Sequence, residues 1–241
     1  MLTYLLNIFT YYFSVNYSDN VLILIPGLGI KPDDYNQIIP KSMPIIKLDI
    51  WTDEELQYIL ENVGKPGTLS YAVWYDRIKN QTINEIRHEL GKYSGVKNLF
   101  FVSHSIGCYL AFDIANTYSF EPNVFVFAYG GSYPQKKGNF DYRILLGTND
   151  KIAGKYYENP YCNENVISII GANHFSCTTE RGRNRALKWR YKIGILDVKE
   201  EDDENKSAMI NIVSSYLNFY INIYPLSINQ NQNKEKICRF S

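Results

Sequence analysis

The sequence predicts an α/β fold, a mostly parallel central sheet with helices on both faces. Three observations predict it. Six short apolar runs recur along the chain, as strands buried on both faces do. Longer stretches with apolar residues at helical spacing lie between them. Polar residues follow several of the apolar runs directly, where a parallel sheet presents its strand ends to a ligand.

Taken in order, residues 1–20 are apolar and aromatic but lack the basic start of a secretion signal. Asn7, Asn16 and Asp19 interrupt them, so they make a poor transmembrane span and are read as a packed helix or strand. "VLILIP" (21–26) is the first clear strand, followed by the glycine turn "GLG", and "PIIKLDI" (44–50) is the second. The stretch 74–93 places Ile78, Ile83, Ile86 and Leu90 along one face of a helix, with charges opposite. "KNLFFV" (97–102) then runs through "SHSIG" into a helical stretch, 106–115, carrying Leu110 and Ile114. "NVFVFAY" (123–129), "YRILLG" (142–147) and "NVISIIG" (165–171) complete the strands. The stretch 207–222 reads as an amphipathic helix capped by Asp203 or Asn205, and the polar end, 227–241, as a loose tail. Strands alternating with helices imply right-handed βαβ units in one domain over 1–241, its core spanning about 21–222.

Composition narrows the function. The 25 basic side chains are matched by 25 acidic ones, which argues against a nucleic-acid binder. Cys108, Cys162, Cys177 and Cys238 show no C-x-x-C spacing, so neither a structural zinc site nor a disulfide framework is expected. A reducing compartment, the cytoplasm, is favoured.

Ligands of an open parallel sheet bind beyond the C-terminal strand ends. There the sequence places Gly27-Leu28-Gly29, then Ser103-His104-Ser105, then Thr148-Asn149-Asp150, then Asn173-His174. Four strand ends thus supply a glycine turn, a serine, an aspartate and a histidine, in that chain order.

With these residues the chain resembles the α/β-hydrolase family from about Val21 to His174. "SHSIG" (103–107) resembles its G-x-S-x-G nucleophile elbow with Ser103 in the first glycine position, and "IPGLG" (25–29) its oxyanion turn. "LLGTND" (145–150) resembles its acid-bearing strand end and "GANHF" (171–175) its histidine loop. The resemblance implies a serine hydrolase acting on a small-molecule acyl ester or thioester, with no cofactor and no metal. A non-catalytic ligand-binding member of the fold, or an acyltransferase or lyase with the same residues, is the alternative.

Each assignment has a bland competitor. Ser105, with Gly107 two residues on, occupies the tip of the turn, whereas Ser103 belongs to the strand end; a lone serine there could simply cap the helix starting at Ile106. His88 lies within a helix. His104 adjoins the serine with its ring pointing away, packing beside the sheet or steadying a loop. His174 remains as the base. Asp150 is the first carboxylate after its strand, although a turn aspartate could occupy the same place. The N–H groups of Ile106 and Leu28 are assigned to the oxyanion, the first of them aided by a helix N-terminus. "PGLG" otherwise reads as a tight turn, and it lacks the third glycine of a G-x-G-x-x-G nucleotide loop. Gly27, Gly29, His104 and Phe175 are placed at the wall of the substrate pocket.

Only "GGSYPQKKGNFD" (130–141) separates the fourth strand from the fifth, too little for a helical cap. The basic run 181–192 puts Arg181, Arg185, Lys188 and Lys192 on one face, read as a solvated surface paired with the acidic run 200–204. A comparatively open site follows, with the 178–192 segment and the 51–73 connection as the available covers.

Overall fold

Val21 to Ile25 are five consecutive apolar side chains, and such a run avoids water only at the centre of a sheet covered on both sides. The computed structural model describes residues 16–64, 67–117, 122–131, 134, 138–153, 165–194 and 210–221. It places that run in β2 (Asn20–Ile25), with all five residues buried. The other strands are β1 (Asn16–Tyr17), β3 (Ile45–Lys47), β4 (Tyr93–Ser94), β5 (Asn98–His104), β6 (Asn123–Tyr129), β7 (Asp141–Gly147) and β8 (Val166–Ile169). Six of them form one sheet in the order β3-β2-β5-β6-β7-β8, every neighbouring pair parallel. The short β1 and β4 pair with each other beside it.

Alternation along the strands divides the core into two layers. Ile23, Ile25, Phe101 and Val126 point to one layer, covered by α1 (Asp53–Asn62), α2 (Leu69–Leu90) and α3 (Ile106–Thr117). Leu22, Leu24, Phe100 and Phe125 point to the other, covered by the helix at 210–221, α5, through Ile210, Val213, Leu217 and Ile221. The remaining helix, α4 (Glu180–Ile193), belongs to neither face alone. Its Ala186 and Leu187 join the second layer while Trp189 and Ile193 pack against the first. The architecture is the predicted mostly parallel sheet with helices on both faces.

The strand predictions agree in place and differ at the ends; 44–50 contracts to Ile45–Lys47 and 165–171 to Val166–Ile169. The 74–93 helix begins earlier, at Leu69, because the Thr68 hydroxyl accepts from the Tyr71 N–H at 3.3 Å. The 51–73 connection holds a helix of its own, α1; the Thr52 hydroxyl caps it by accepting from the Glu55 N–H at 3.1 Å. Residues 1–15 of the expected N-terminal element, the Asp203 or Asn205 cap, the acidic run 200–204 and the tail 227–241 lie outside the described residues, and residues 16–17 form β1. Among the described residues no helix is long and apolar enough to cross a membrane.

Candidate active site

Where β5 ends, the chain must reverse into α3 within one residue, and Ser105 is that residue. It is the only non-glycine among the described residues with positive φ, at 55°. An L-residue holds such an angle only where its surroundings enforce it. Here the Ser105 N–H donates to the Tyr129 carbonyl at 3.0 Å, and its own carbonyl accepts from the Cys108 N–H at 3.0 Å. Gly107 lets α3 approach β2, since a Cβ there would stand 2.7 Å from the carbonyl oxygens of Ile25 and Pro26. Ser103, in the position where a glycine was expected, fits because its hydroxyl donates sideways to the Phe127 carbonyl at 3.3 Å.

The turn aims Ser105 at the later strand ends. Ser105 Oγ lies 3.0 Å from His174 Nε2, and His174 Nδ1 lies 2.9 Å from Asp150 Oδ2. Asp150 Oδ1 accepts from the N–H groups of Ile152 and Ala153 at 3.0 and 2.7 Å, so the carboxylate cannot rotate. That arrangement fixes the proton of His174 on Nδ1 and leaves Nε2 free to accept. Burial holds the His174 imidazole below its ordinary value of 6.5, against the pull of the Asp150 carboxylate. Gly130, which sequence reasoning passed over, makes room for this pair. At φ 58°, its Cβ would stand 2.9 Å from His174 Nδ1 and 3.0 Å from Asp150 Oδ2. A glycine pair directly after a strand was the available signal. Cys108, in the first turn of α3, is no competing nucleophile, for burial pushes it up to about 12.

The residues assigned to the pocket wall have structural partners of their own. His104 is buried with both ring nitrogens engaged: Nδ1 is 2.8 Å from Tyr35 Oη and Nε2 is 2.8 Å from the His174 carbonyl. Tyr35 Oη already accepts from the Gly27 N–H at 2.9 Å, so its hydrogen goes to His104 Nδ1, and His104 donates from Nε2. The ring therefore braces the His174 loop against the Gly27 turn instead of facing substrate. Gly27 exists for that brace, because a Cβ would stand 2.6 Å from His104 Nδ1. Gly29, at φ 77°, faces Ala186 of α4. Phe175 is buried in the second layer. Ile106 is the first residue of α3, directly after Ser105, and Leu28 lies three residues beyond the end of β2.

Helix α4 corrects the open-site expectation. Arg181, Lys188 and Lys192 are exposed as expected, but the opposite face is packed inward, and the helix is anchored: the Thr179 hydroxyl that caps it donates to buried Asp34 at 2.6 Å, and Arg181 Nε donates to the same carboxylate at 3.0 Å. Arg185 donates to the carbonyls of Gly29 and Trp51 at 2.7 and 3.2 Å and to Asp53 Oδ1 at 2.6 Å. Thus tied across the strand ends, α4 buries Gly182, Arg183, Ala186 and Arg190. Arg190 Nη2 donates to Ser105 Oγ at 2.8 Å and stands 3.5 Å from His174 Nε2, with the guanidinium over the Phe175 ring. Ser105 is accordingly only 9% exposed. The sequence reading sorted α4 by its outward charges; the inward signal was Gly182 and Ala186, four apart, flanked by Arg183 and Arg190 on one face.

No protein-family profile matches the chain, and no curated protein matches it. Solved structures do resemble it. Over 80% of this chain and 84% of the other, it is similar to the LpqC poly(3-hydroxybutyrate) depolymerase of Bordetella parapertussis, at 11% identity and a TM-score of 0.43. The Zea mays acyl-protein thioesterase 2 matches at 14% identity and a TM-score of 0.42, over 74% of this chain and 95% of its own. A candidate hydrolase of the alpha/beta superfamily from Xanthomonas campestris pv. campestris matches at 11% identity and a TM-score of 0.40, over 74% and 98%. In its own topology, the parallel sheet, the serine at positive φ between strand and helix, and the carboxylate and imidazole beyond later strands make this an α/β-hydrolase fold.

Proposed function

We propose that this protein is a serine hydrolase cleaving a carboxylic ester or thioester through an acyl-enzyme. The observation that carries the reading is the unbroken line from Ser105 Oγ through His174 to Asp150, at 3.0 and 2.9 Å, built on a serine held at φ 55°. Ser105 Oγ attacks the carbonyl carbon while its proton passes to His174 Nε2. Asp150, held by two backbone N–H groups, faces His174 Nδ1 and supports the imidazolium. The N–H groups of Ile106 and Leu28 take the developing oxyanion. When the tetrahedral adduct collapses, the bond to the leaving oxygen or sulfur breaks, and that atom receives the proton from Nε2. Water then attacks the acyl-enzyme by the same route in reverse, releasing the acid and restoring Ser105.

A fluorophosphonate tests the reading. It is expected to modify Ser105 alone, and Ser105→Ala is expected to lose both labelling and ester hydrolysis while keeping its fold. Equal labelling of the Ser105→Ala protein would remove Ser105 as the nucleophile.

A further inference from the structure

Serine hydrolysis as proposed requires no arginine at the nucleophile, yet α4 delivers one. Arg190 is 3% exposed, and a guanidinium is withdrawn from water only at substantial cost. Its Nη2 donates to the Ser105 hydroxyl at 2.8 Å, the atom that must be freed for attack. The helix itself is tied at its N-terminal half to Asp34, Gly29, Trp51 and Asp53. Those ties keep α4 in place when substrate enters, so the guanidinium stays beside the reacting carbonyl. Entry of substrate must still break the Arg190–Ser105 bond. A neutral acyl group offers at most its carbonyl oxygen, which the oxyanion N–H groups are assigned to take. An anionic one replaces a bond to a neutral hydroxyl with shorter, charge-assisted bonds to a carboxylate, which a guanidinium can make in pairs.

We infer, on the hydrolase reading above, that Arg190 is an anion subsite and that the substrate's acyl group carries a carboxylate, as in the monoester or monothioester of a dicarboxylic acid. The acyl side is favoured over the leaving group by position. Arg190 Nη2 is closer to Ser105 Oγ, where the acyl group is bonded in the intermediate, than to His174 Nε2, past which the leaving group departs, at 2.8 against 3.5 Å.

Monoethyl succinate and ethyl butyrate test this, since they share the leaving alcohol and differ chiefly in a carboxylate for a methyl group. The wild-type protein is expected to prefer the succinate ester in kcat/KM by on the order of 10- to 100-fold. Arg190→Gln is expected to bring the ratio toward one, Arg190→Lys to keep part of it, and Lys188→Gln, on the exposed side of the same helix, to keep all of it. A wild-type ratio at or below one overturns the inference, even if Arg190→Gln fails to fold. So does a preference that survives Arg190→Gln. A protein that labels at Ser105 and cleaves ethyl butyrate without preferring succinate loses the anion subsite but keeps the hydrolase reading. If neither ester is cleaved and no fluorophosphonate attaches, the hydrolase reading fails and the subsite falls with it.

Discussion

Two parts of the molecule bring charge to the Ser105–His174 pair, and they hold it in different ways. Asp150, at the end of β7, is fixed locally: backbone N–H groups two and three residues away lock one carboxylate oxygen while the other meets His174. Arg190 is fixed remotely. Thr179, Arg181 and Arg185 tie α4 to the rest of the fold, and the guanidinium reaches Ser105 on a long side chain with its head over Phe175. A carboxylate pinned by its own turn holds one geometry throughout a reaction. An arginine at the end of a flexible stem can exchange one partner for another without moving its helix. The strand ends thus suit steps that demand fixed positions, and α4 suits recognition.

The sharpest way to break this contrast is to remove the fixed side. His174→Ala and Asp150→Asn are each expected to lower ester turnover by roughly 10⁴, the scale of triad deletions in serine proteases. Substitution of Arg190 is expected to alter selectivity far more than turnover of a neutral ester. Loss of less than about tenfold on removing His174 would show that the rigid half is not the reacting half.

Gly130 probes the same rigidity from outside the hydrogen-bonded line. A methyl group there would crowd His174 Nδ1 and Asp150 Oδ2 at 2.9 and 3.0 Å and would also strain φ 58°. Gly130→Ala is therefore expected to cost on the order of 10² in kcat, as sub-ångström displacement of a base does, with secondary structure retained by circular dichroism. Unchanged kcat would mean that the His174–Asp150 pair tolerates movement.

The contrast also explains what could be read from the sequence. Ser105, Asp150 and His174 were legible because each directly follows an apolar run, and a parallel sheet brings such positions together regardless of the chain between them. Arg190 was not, because one helical period admits two faces, and charge alone argues for the outward one. What turns Arg190 inward is close approach at Gly182 and Ala186, whose neighbours Asp34 and Gly29 are about 150 residues away in sequence and far outside any local window. His104 shows the same limit: its orientation away from Ser105 followed from adjacency, but its partners Tyr35 and His174 lie 69 and 70 residues distant.

A smaller effect sharpens the role of Arg190. Neutral His174 is the form that accepts a proton, and both burial and the nearby guanidinium disfavour the imidazolium. Activity is therefore expected to rise with pH through a value below 6.5 and to be flat by neutral pH. Removing the cation relieves one of those two pressures, so Arg190→Gln is expected to move the acidic limb of the kcat/KM profile upward. A limb that stays in place or moves downward would show that Arg190 and His174 do not interact in the free enzyme.

The smallest expected effect concerns His104 and is one of stability. Burial holds its imidazole well below 6.5, and its ring must accept at Nδ1 from Tyr35 while donating at Nε2 to the His174 carbonyl. A proton on Nδ1 would set an N–H against the Tyr35 hydroxyl's hydrogen at a buried position. In the unfolded chain the same ring titrates normally, near 6.5. A folded-state value below the unfolded one means that stability is fully present above about pH 6.5 and declines as pH falls, because the unfolded state takes up a proton that the folded state refuses. The decline amounts to at most about 1.4 kcal/mol per pH unit for each such histidine. His174 contributes in the same direction, so the two are separated by difference. His104→Gln is expected to lower stability at neutral pH, since the brace between the Gly27 turn and the His174 loop is weakened, yet to lose less on acidification. Denaturant midpoints measured from pH 7.5 to 5 for the two proteins should therefore converge; parallel curves would show that His104 accepts a proton in the fold as readily as out of it.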